Sequence, residues 1–241
     1  MSAPVRLVRL RSEPEKAAVL LDVDGTLAPI VDRPEDAAVP DDTRREVERL
    51  AGRYRLVACI SGRPAADARR IVGLECVRYV GVHGLESHPG VPEYTPQLER
   101  LVEVADWPWR VESKAGVTVA FHYREVEDDE ARAAVERVAS AAADLGLAVQ
   151  RGRKVVEAKP PIDADKGTAV RELVAEPGIE RAFYAGDDTT DLDAFHGLDE
   201  AGLDLVVKVA VGSPEMNPRM LTEADLVVDG PGELLYLLRT L

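Results

Sequence analysis

Short apolar runs alternate with amphipathic stretches along most of the chain. The apolar runs end at polar or turn residues and cover 19–21, 55–60, 182–185, 205–211 and 226–228. Runs closed in this way are typical of buried parallel strands. Stretches with helical spacing of their apolar residues lie between the runs, at about 41–51, 64–72, 167–175, 189–196 and 232–240. This alternation of strand and helix predicts an α/β fold with a doubly wound parallel sheet.

The middle of the chain follows a different pattern, in which each helix is followed by two strands. Helices are predicted from Thr95 to about 105 and at about 128–145, and strands at about 108–113, 117–124, 147–151 and 154–159. Thr95 and Pro96 suit a helix start, and the acidic first turn of the second helix suits the helix dipole. This αββαββ block predicts a small antiparallel sheet backed by helices.

The change of pattern defines the expected domains. We assign 1–83 and 163–241 to the parallel-sheet core, and 84–162 to an inserted, smaller α+β domain. The length of 241 residues can accommodate either one large domain or two small ones with buried cores.

Composition and charge exclude several classes of function. The chain has 30 Lys and Arg against 44 Asp and Glu, a formal net charge of −14, whereas nonspecific nucleic-acid binding needs a basic surface. Its apolar runs are far shorter than the ~20 residues of a membrane span, and residues 1–16 lack the apolar stretch of a signal peptide. Two cysteines cannot form a disulfide framework or a thiolate zinc site. We therefore expect a cytoplasmic protein without nucleic-acid or membrane partners.

The strongest chemical signal is the segment Asp22-Val23-Asp24-Gly25-Thr26, which directly follows the first apolar run. Two carboxylates spaced two residues apart lie on the same side if the extended geometry continues. Open α/β sheets bind ligands at the carboxyl ends of their strands. A simple turn also favours Asp and Gly, so the segment needs companions before it indicates a site.

Three companion segments occur at strand ends or helix starts. They are Ser61-Gly62-Arg63, Lys166-Gly167 and the acidic run from Gly186 to Asp191. Together with the first segment, and in this order, they resemble the four motifs of the haloacid-dehalogenase-like phosphohydrolases. The resemblance implies a Rossmann-like core whose inserted domain acts as a cap.

The resemblance also implies a role for each motif residue. Asp22 would attack phosphorus and form an aspartyl-phosphate. Asp24 would protonate the leaving alcohol and then deprotonate the attacking water. Ser61 and Lys166 would share the charge of the phosphoryl group in its transition state.

A magnesium ion is implied by the same resemblance. The side chains of Asp22 and Asp187 and the backbone carbonyl of Asp24 would hold Mg²⁺, an oxygen-rich set that suits a hard cation. Either Asp188 or Asp191 would orient a water on the metal, and the sequence leaves that choice open.

Several segments narrow the substrate, because phosphatases of this fold differ mainly in their caps. The segments at 27–30, 81–84, 111–114, 121–124 and 156–160, together with the acidic run and Phe195, resemble those of trehalose-6-phosphate phosphatases. This resemblance covers the chain from about Leu20 to Phe195. It implies a phosphosugar substrate, and we expect a monomer.

Strand alternation places polar residues on one face of the inserted sheet. Carboxylates accept hydrogen bonds from sugar hydroxyls, and cationic groups donate them. The expected substrate contacts are Gly62, Arg63, His83, Glu112, Lys114, Arg124, Glu157 and Lys159. The alternative is a solvated face whose ion pairs, such as one between Arg124 and Glu112, only brace the sheet.

These inferences predict a Mg²⁺-dependent phosphatase that hydrolyses trehalose 6-phosphate. Three alternatives stay open: a phosphatase for another phosphosugar, such as a sucrose or mannosyl phosphate; a noncatalytic sugar-phosphate sensor; and a phosphomutase, which would share the aspartyl-phosphate.

Overall fold

The computed structural model of the protein describes residues 3–124, 126–152, 154–213 and 216–241. The chain divides into two compact units, which are Met1–Gly84 with Ala164–Leu241, and Leu85–Asp163. Within the described ranges, every helix is too short or too polar to cross a lipid bilayer.

The bounds of the regular elements are as follows. The strands are β1 Ala17–Leu21, β2 Leu56–Ile60, β3 Arg78–Val80, β4 Val111–Lys114, β5 Thr118–His122, β6 Ala148–Gly152, β7 Val155–Lys159, β8 Arg181–Gly186, β9 Leu205–Val211 and β10 Leu226–Val228. The α-helices are α1 Ala3–Ser12, α2 Asp41–Ala51, α3 Ala65–Val72, α4 Thr95–Val104, α5 Asp128–Asp144, α6 Lys166–Val174, α7 Thr189–Glu200, α8 Met220–Glu223 and α9 Gly230–Leu238.

The first unit is built on a six-stranded parallel sheet in the order β10-β9-β8-β1-β2-β3. Strand β1 lies inside the sheet, between β2 and β8, and all five of its residues are buried. Alternate residues face opposite sides: Val19 packs in one core cluster with Val47 and Leu234, and Leu20 packs in the other with Val170. Helices therefore cover both faces, which confirms the predicted doubly wound sheet.

The second unit has a four-stranded antiparallel sheet in the order β4-β5-β7-β6. Phe121 of β5 and Val156 of β7 pack with residues of α4 and α5, including Leu101 and Val138. Its element order is the αββαββ pattern that the sequence predicts.

Three elements are not predicted from the sequence. Helix α1 carries arginines among its apolar residues, and α8 has only four residues. Strand β3 has one exposed and two partly exposed residues and lacks an apolar run. These elements depend on packing against the larger sheet rather than on local pattern.

Candidate active site

Asp22 lies directly after β1, in the middle of the parallel sheet. Its backbone N–H donates to the Ala185 carbonyl of β8 at 2.9 Å, which continues the strand pairing as far as Asp22. The side chain is buried, and its Oδ1 accepts a hydrogen bond from Lys166 Nζ at 2.7 Å. Lys166 is the first residue of α6, and a capping box formed by Asp165 and Thr168 fixes that helix start.

Burial and charge oppose each other at this pair. Burial raises the pKa of Asp22, the Lys166 ammonium opposes the rise, and the carboxylates of Asp191 and Asp187 add to it. Burial alone would lower the pKa of Lys166, but Asp191 and Asp22 outweigh it, so the pKa of Lys166 is raised. The lysine therefore stays charged, whereas burial and the neighbouring carboxylates disfavour the ionised form of Asp22.

Asp187 follows β8, at the same edge of the sheet as Asp22. Its Oδ1 accepts from the buried hydroxyl of Thr26 at 3.1 Å, whereas Oδ2 is buried and accepts no hydrogen bond from the described residues. Burial raises the pKa of Asp187 to about 6, although the Ser213 side chain opposes the rise. Gly25, with φ of +81°, makes this approach possible, because a Cβ there would overlap the Asp187 carboxylate.

Asp191, in the first turn of α7, accepts hydrogen bonds from α6, from β8 and from the acidic loop that follows β8. Its Oδ1 accepts from Lys166 Nζ at 2.7 Å and from the Tyr184 hydroxyl at 2.5 Å. Its Oδ2 accepts from the backbone N–H groups of Asp187 at 2.8 Å and Asp188 at 2.9 Å. Four donors thus use both oxygens of this fully buried carboxylate, which holds the acidic loop and the lysine together.

Asp188 has a different environment from Asp191. It is the N-cap of α7 and accepts from the backbone N–H of Thr190 at 2.8 Å and from its hydroxyl at 2.6 Å. Burial would raise the pKa of Asp188, but Lys166 and Thr190 lower it overall. Its Oδ1 lies 4.0 Å from Lys166 Nζ, so it belongs to the edge of the charge cluster.

These carboxylates fit a divalent metal ion. Within the described residues, Asp22, Asp187 and Asp191 each offer an oxygen, and the three oxygens lie within 4.8 Å of one another. The unpartnered Oδ2 of Asp187 is the kind of hard, anionic ligand that Mg²⁺ prefers. The structure brings the predicted ligands Asp22 and Asp187 together, whereas the role of the Asp24 carbonyl stays a prediction.

The carboxylate of Asp24 makes different contacts. Arg63 donates from Nε to Oδ2 and from Nη2 to Oδ1, both at 2.7 Å. The same guanidinium donates from Nη1 to the Pro34 carbonyl at 2.9 Å. The sequence places Asp24 and Arg63 in separate motifs and does not predict that they pair.

Ser61 and His83 lie in the loops that follow β2 and β3, and backbone hydrogen bonds join the two loops. Ser61 is buried; its Oγ accepts from the Arg63 N–H at 3.1 Å and its carbonyl accepts from the His83 N–H at 2.9 Å. The His83 ring lies against Gly62, where a Cβ would come within 2.8 Å of Nε2. Val82 and His83 both have left-handed backbones, with φ of 48° and 56°. Such a conformation is strained for valine, and strain of this kind clusters at functional sites.

The predicted substrate residues of the inserted sheet lie in the second unit, and two of them pair with each other. Lys114 Nζ lies 3.1 Å from both carboxylate oxygens of Glu157, and the Thr118 hydroxyl donates to Glu157 Oε1 at 2.6 Å. Glu112 Oε2 lies 3.0 Å from His122 Nε2 and accepts from Arg110 at 3.1 Å. Four predicted or neighbouring polar side chains of this sheet, Glu112, His122, Lys114 and Glu157, are thus engaged with each other in two side-chain pairs.

The other two predicted residues lie at the ends of strands. Lys159 ends β7 and is partly buried, and Arg124 follows β5 and is exposed. The hydrogen bonds to Glu112 come from His122 and Arg110, so the pairing of Arg124 with Glu112 that the sequence allows is not among the contacts described. Arg124 instead lines a cavity of about 200 Å³ with Trp109, Tyr123 and their neighbours.

Sequence reasoning does not identify two of the contacts at the site. Tyr184 is a fully buried member of β8, and a buried tyrosine usually needs a partner for its hydroxyl. Thr26 is fully buried beside Asp187. The sequence signal for such contacts is a hydroxyl-bearing residue within or next to a buried apolar segment, because its hydroxyl then needs a partner inside the protein.

Comparison with known proteins shows the family. A model of the family described as Trehalose-phosphatase matches residues 20–115 and 110–219. The chain belongs to the trehalose-phosphatase family. This confirms the resemblance to trehalose-6-phosphate phosphatases that the motifs indicate.

The relatives that this chain matches differ in length and in name. A protein of Mycobacterium tuberculosis named as an uncharacterized glycosyl hydrolase is 37% identical over 218 residues, covering 80% of this chain and 16% of that protein. The trehalose-phosphate phosphatase of Mycobacterium marinum is 34% identical over 214 residues, covering 80% of this chain and 54% of its own length. The chain therefore spans about half of one relative and a small part of the other.

A solved structure shares the fold. The C-terminal domain of the C. albicans trehalose-6-phosphate phosphatase superposes with a TM-score of 0.71, covering 99% of this chain and 95% of that one at 23% identity. The trehalose-phosphatase fold thus extends over nearly the whole chain.

Proposed function

We propose that the protein hydrolyses trehalose 6-phosphate to trehalose and inorganic phosphate. The proposal depends mainly on the buried Asp22 at the end of β1. Its Oδ1 accepts a hydrogen bond from Lys166 Nζ at 2.7 Å, and the Asp187 carboxylate lies beside it. Family membership and the name of the Mycobacterium marinum relative support trehalose 6-phosphate as the substrate.

The chemistry proceeds in two half-reactions. In the first, a carboxylate oxygen of Asp22 bonds to phosphorus while the bond from phosphorus to the sugar oxygen breaks, and that oxygen takes the proton held by Asp24. In the second, the oxygen of a water molecule attacks the phosphorus of the aspartyl-phosphate, and Asp24 takes a proton from that water. Phosphate then leaves and Asp22 is regenerated.

Lys166 and Mg²⁺ would balance the charge of the phosphoryl group. Lys166 is fixed by Asp22 and Asp191, so its ammonium is already in place when the phosphate arrives. Asp22, Asp187 and the carbonyl of Asp24 would hold Mg²⁺, which supplies positive charge to the phosphoryl oxygens when bound. Because four donors occupy the oxygens of Asp191, we favour Asp188 as the residue that orients the hydration of the metal.

We assign sugar recognition to the polar face of the second unit. Glu112 and Glu157 would accept from sugar hydroxyls, and Lys114, Arg124 and Lys159 would donate to them. For these groups to bind sugar, the pair between Lys114 and Glu157 must exchange part of its hydrogen bonding with the substrate. Gly62 and His83 remain predicted substrate contacts in the first unit, whereas the pairing of Arg63 with Asp24 favours a different role for that arginine. A monomeric, cytoplasmic protein remains our expectation.

The test is phosphate release from a panel of phosphosugars, with Mg²⁺ and with a chelator. We expect trehalose 6-phosphate to be the best substrate and the chelator to stop turnover. Equal rates on glucose 6-phosphate or sucrose 6-phosphate would contradict the substrate, and return of phosphate to a second sugar hydroxyl would indicate a mutase. Binding without turnover by the wild-type protein would identify a sensor.

The nucleophile is tested separately by Asp22→Asn. An amide cannot accept the phosphoryl group as a carboxylate does, so turnover should be lost while the far-ultraviolet circular dichroism spectrum is kept. Asp199→Asn, on the exposed face of α7, is the matched control and should keep wild-type turnover. Retained turnover by Asp22→Asn would refute the assignment.

A further inference from the structure

We infer that Arg63 is a positioning residue that orients the Asp24 carboxyl for proton transfer, an inference that rests on the proposed function. The two side chains form a forked pair, with Nε to Oδ2 and Nη2 to Oδ1 both at 2.7 Å. A guanidinium bound to a carboxylate through two parallel hydrogen bonds fixes its plane as well as its position. The pair is only partly exposed, with relative side-chain exposures of 20% for Arg63 and 32% for Asp24.

The arginine is itself held from other directions. Its Nη1 donates to the Pro34 carbonyl at 2.9 Å, in the turn formed by Pro34–Asp36. Its backbone N–H donates to Ser61 Oγ at 3.1 Å, and its carbonyl accepts from the Val82 N–H at 2.9 Å. Three segments of the first unit therefore determine where the guanidinium lies, and through it where Asp24 lies.

This geometry suits a group that gives and takes a proton. Each oxygen of Asp24 uses one lone pair for Arg63 and has another for a proton. When Asp24 transfers its proton to the sugar oxygen, it becomes the carboxylate that the forked pair stabilises. In the second half-reaction the carboxylate takes a proton from water, and Arg63 keeps it in place.

Direct binding of phosphate is the competing role for Arg63. The contacts to Asp24 and Pro34 use three of the five N–H donors of the guanidinium, so a bound phosphate would share the guanidinium with Asp24. The two roles predict different dependence on the leaving group. A sugar alkoxide needs a proton as it leaves, whereas para-nitrophenolate does not, and both esters present the same phosphoryl group.

The experiment measures the first half-reaction alone. Enzyme in excess, with Mg²⁺, is mixed with trehalose 6-phosphate or with para-nitrophenyl phosphate, and release of trehalose or nitrophenolate is followed in a single turnover. The variants are Arg63→Gln, Arg63→Lys and Asp24→Asn. Arg70→Gln is the matched control, because Arg70 is an exposed arginine on the neighbouring helix α3. Melting temperatures show whether each variant is folded, and Arg63→Lys provides the test if Arg63→Gln is not.

We expect the variants to slow the release of trehalose much more than the release of nitrophenolate. Asp24→Asn should slow release of trehalose by about 10²–10⁴-fold, the usual contribution of a general acid, and affect nitrophenolate far less. Arg63→Gln should slow trehalose release by about 10²-fold, the cost of a misplaced group, and nitrophenolate release by much less. Arg63→Lys, which keeps the charge but not the fork, should lie between wild type and Arg63→Gln.

Other outcomes overturn the inference and identify what failed. Equal slowing of both esters by Arg63→Gln, with Asp24→Asn still selective, would make Arg63 a phosphate-binding residue and leave the proposed function standing. No slowing by Arg63→Gln on either ester would show that Asp24 needs no positioning partner. Equal slowing of both esters by Asp24→Asn would reject the acid role of Asp24 itself, and the positioning role with it.

Discussion

At the scale of single residues, the site is organised around a carboxylate that neither bonds to phosphorus nor transfers a proton in the proposed mechanism. Asp191 accepts from Lys166, from Tyr184 and from two backbone N–H groups of the acidic loop. Buried carboxylates are costly unless their oxygens are satisfied, so each of these donors matters to stability. The residue that braces the site is thus distinct from the residues that would react.

Removing one donor from Asp191 tests this arrangement. Tyr184→Phe leaves the ring in place but removes a hydrogen bond of 2.5 Å inside a fully buried pocket. The free energy of unfolding should fall by about 1–3 kcal/mol, the cost of leaving a buried polar group short of a partner. Thermal and urea melts measure it. Tyr236→Phe, at an exposed tyrosine of α9, is the control, and an equal loss there would remove the special role of Tyr184.

His122 provides a prediction about pH in the second unit. Burial lowers the pKa of His122 from its ordinary 6.5, although Glu112 opposes the shift. The folded state therefore binds the proton less readily than the unfolded chain, so the contribution of His122 to stability is complete above pH 6.5 and is lost as the pH falls through the lowered pKa. Histidine ring resonances followed against pH, assigned with His122→Gln, measure it. A midpoint above 6.5 would contradict the prediction.

The sequence predicts individual reactive groups better than their partners. Asp22, Lys166 and Asp187 are recognisable because each follows a strand or opens a helix, and parallel strands bring such positions to one edge. The pairing of Arg63 with Asp24 spans 39 residues and depends on side-chain direction, which no local pattern encodes. The reactive groups can therefore be identified from the sequence, whereas their hydrogen-bond partners can be identified only from the structure.

At the scale of elements, the position of Lys166 depends on how closely α6 packs against α7. Gly167 of α6 and Gly197 of α7 meet at this contact, where a Cβ on Gly197 would overlap the backbone of Gly167. The sequence predicts both helices from their spacing, but the close approach becomes visible only when they are packed. We therefore expect the small residues at this crossing to influence the distance from Lys166 to Asp22.

Gly197→Ala should therefore disturb both stability and activity. The added methyl group must push α7 away from α6, at a cost of about 1–3 kcal/mol for overpacking, and phosphate release should fall because Lys166 moves with α6. Melting curves and turnover measure the two effects. Gly232→Ala in α9 is the matched control, because a Cβ there meets open space, so stability should be kept or should rise by up to about 1 kcal/mol. Similar losses in both variants would contradict the packing argument.

At the scale of the whole molecule, charge connects the fold to the metal. The chain carries a formal net charge of −14, which includes the three carboxylates of the buried cluster and the single ammonium of Lys166. If all are ionised, about two negative charges remain inside the first unit, which a divalent cation would balance. Folding without the metal therefore carries an electrostatic cost that Mg²⁺ should relieve.

Magnesium should consequently stabilise the first unit even without substrate. At a concentration of about 100 times its dissociation constant, a ligand that binds only the folded state adds about 2.7 kcal/mol, so calorimetry should show a higher melting temperature with Mg²⁺ than with chelator. Asp187→Asn removes a predicted ligand and should remove most of the gain, whereas Asp199→Asn, outside the cluster, should keep it. An equal gain in Asp187→Asn would place the cation on the acidic surface instead, because net charge alone attracts cations without selecting a site.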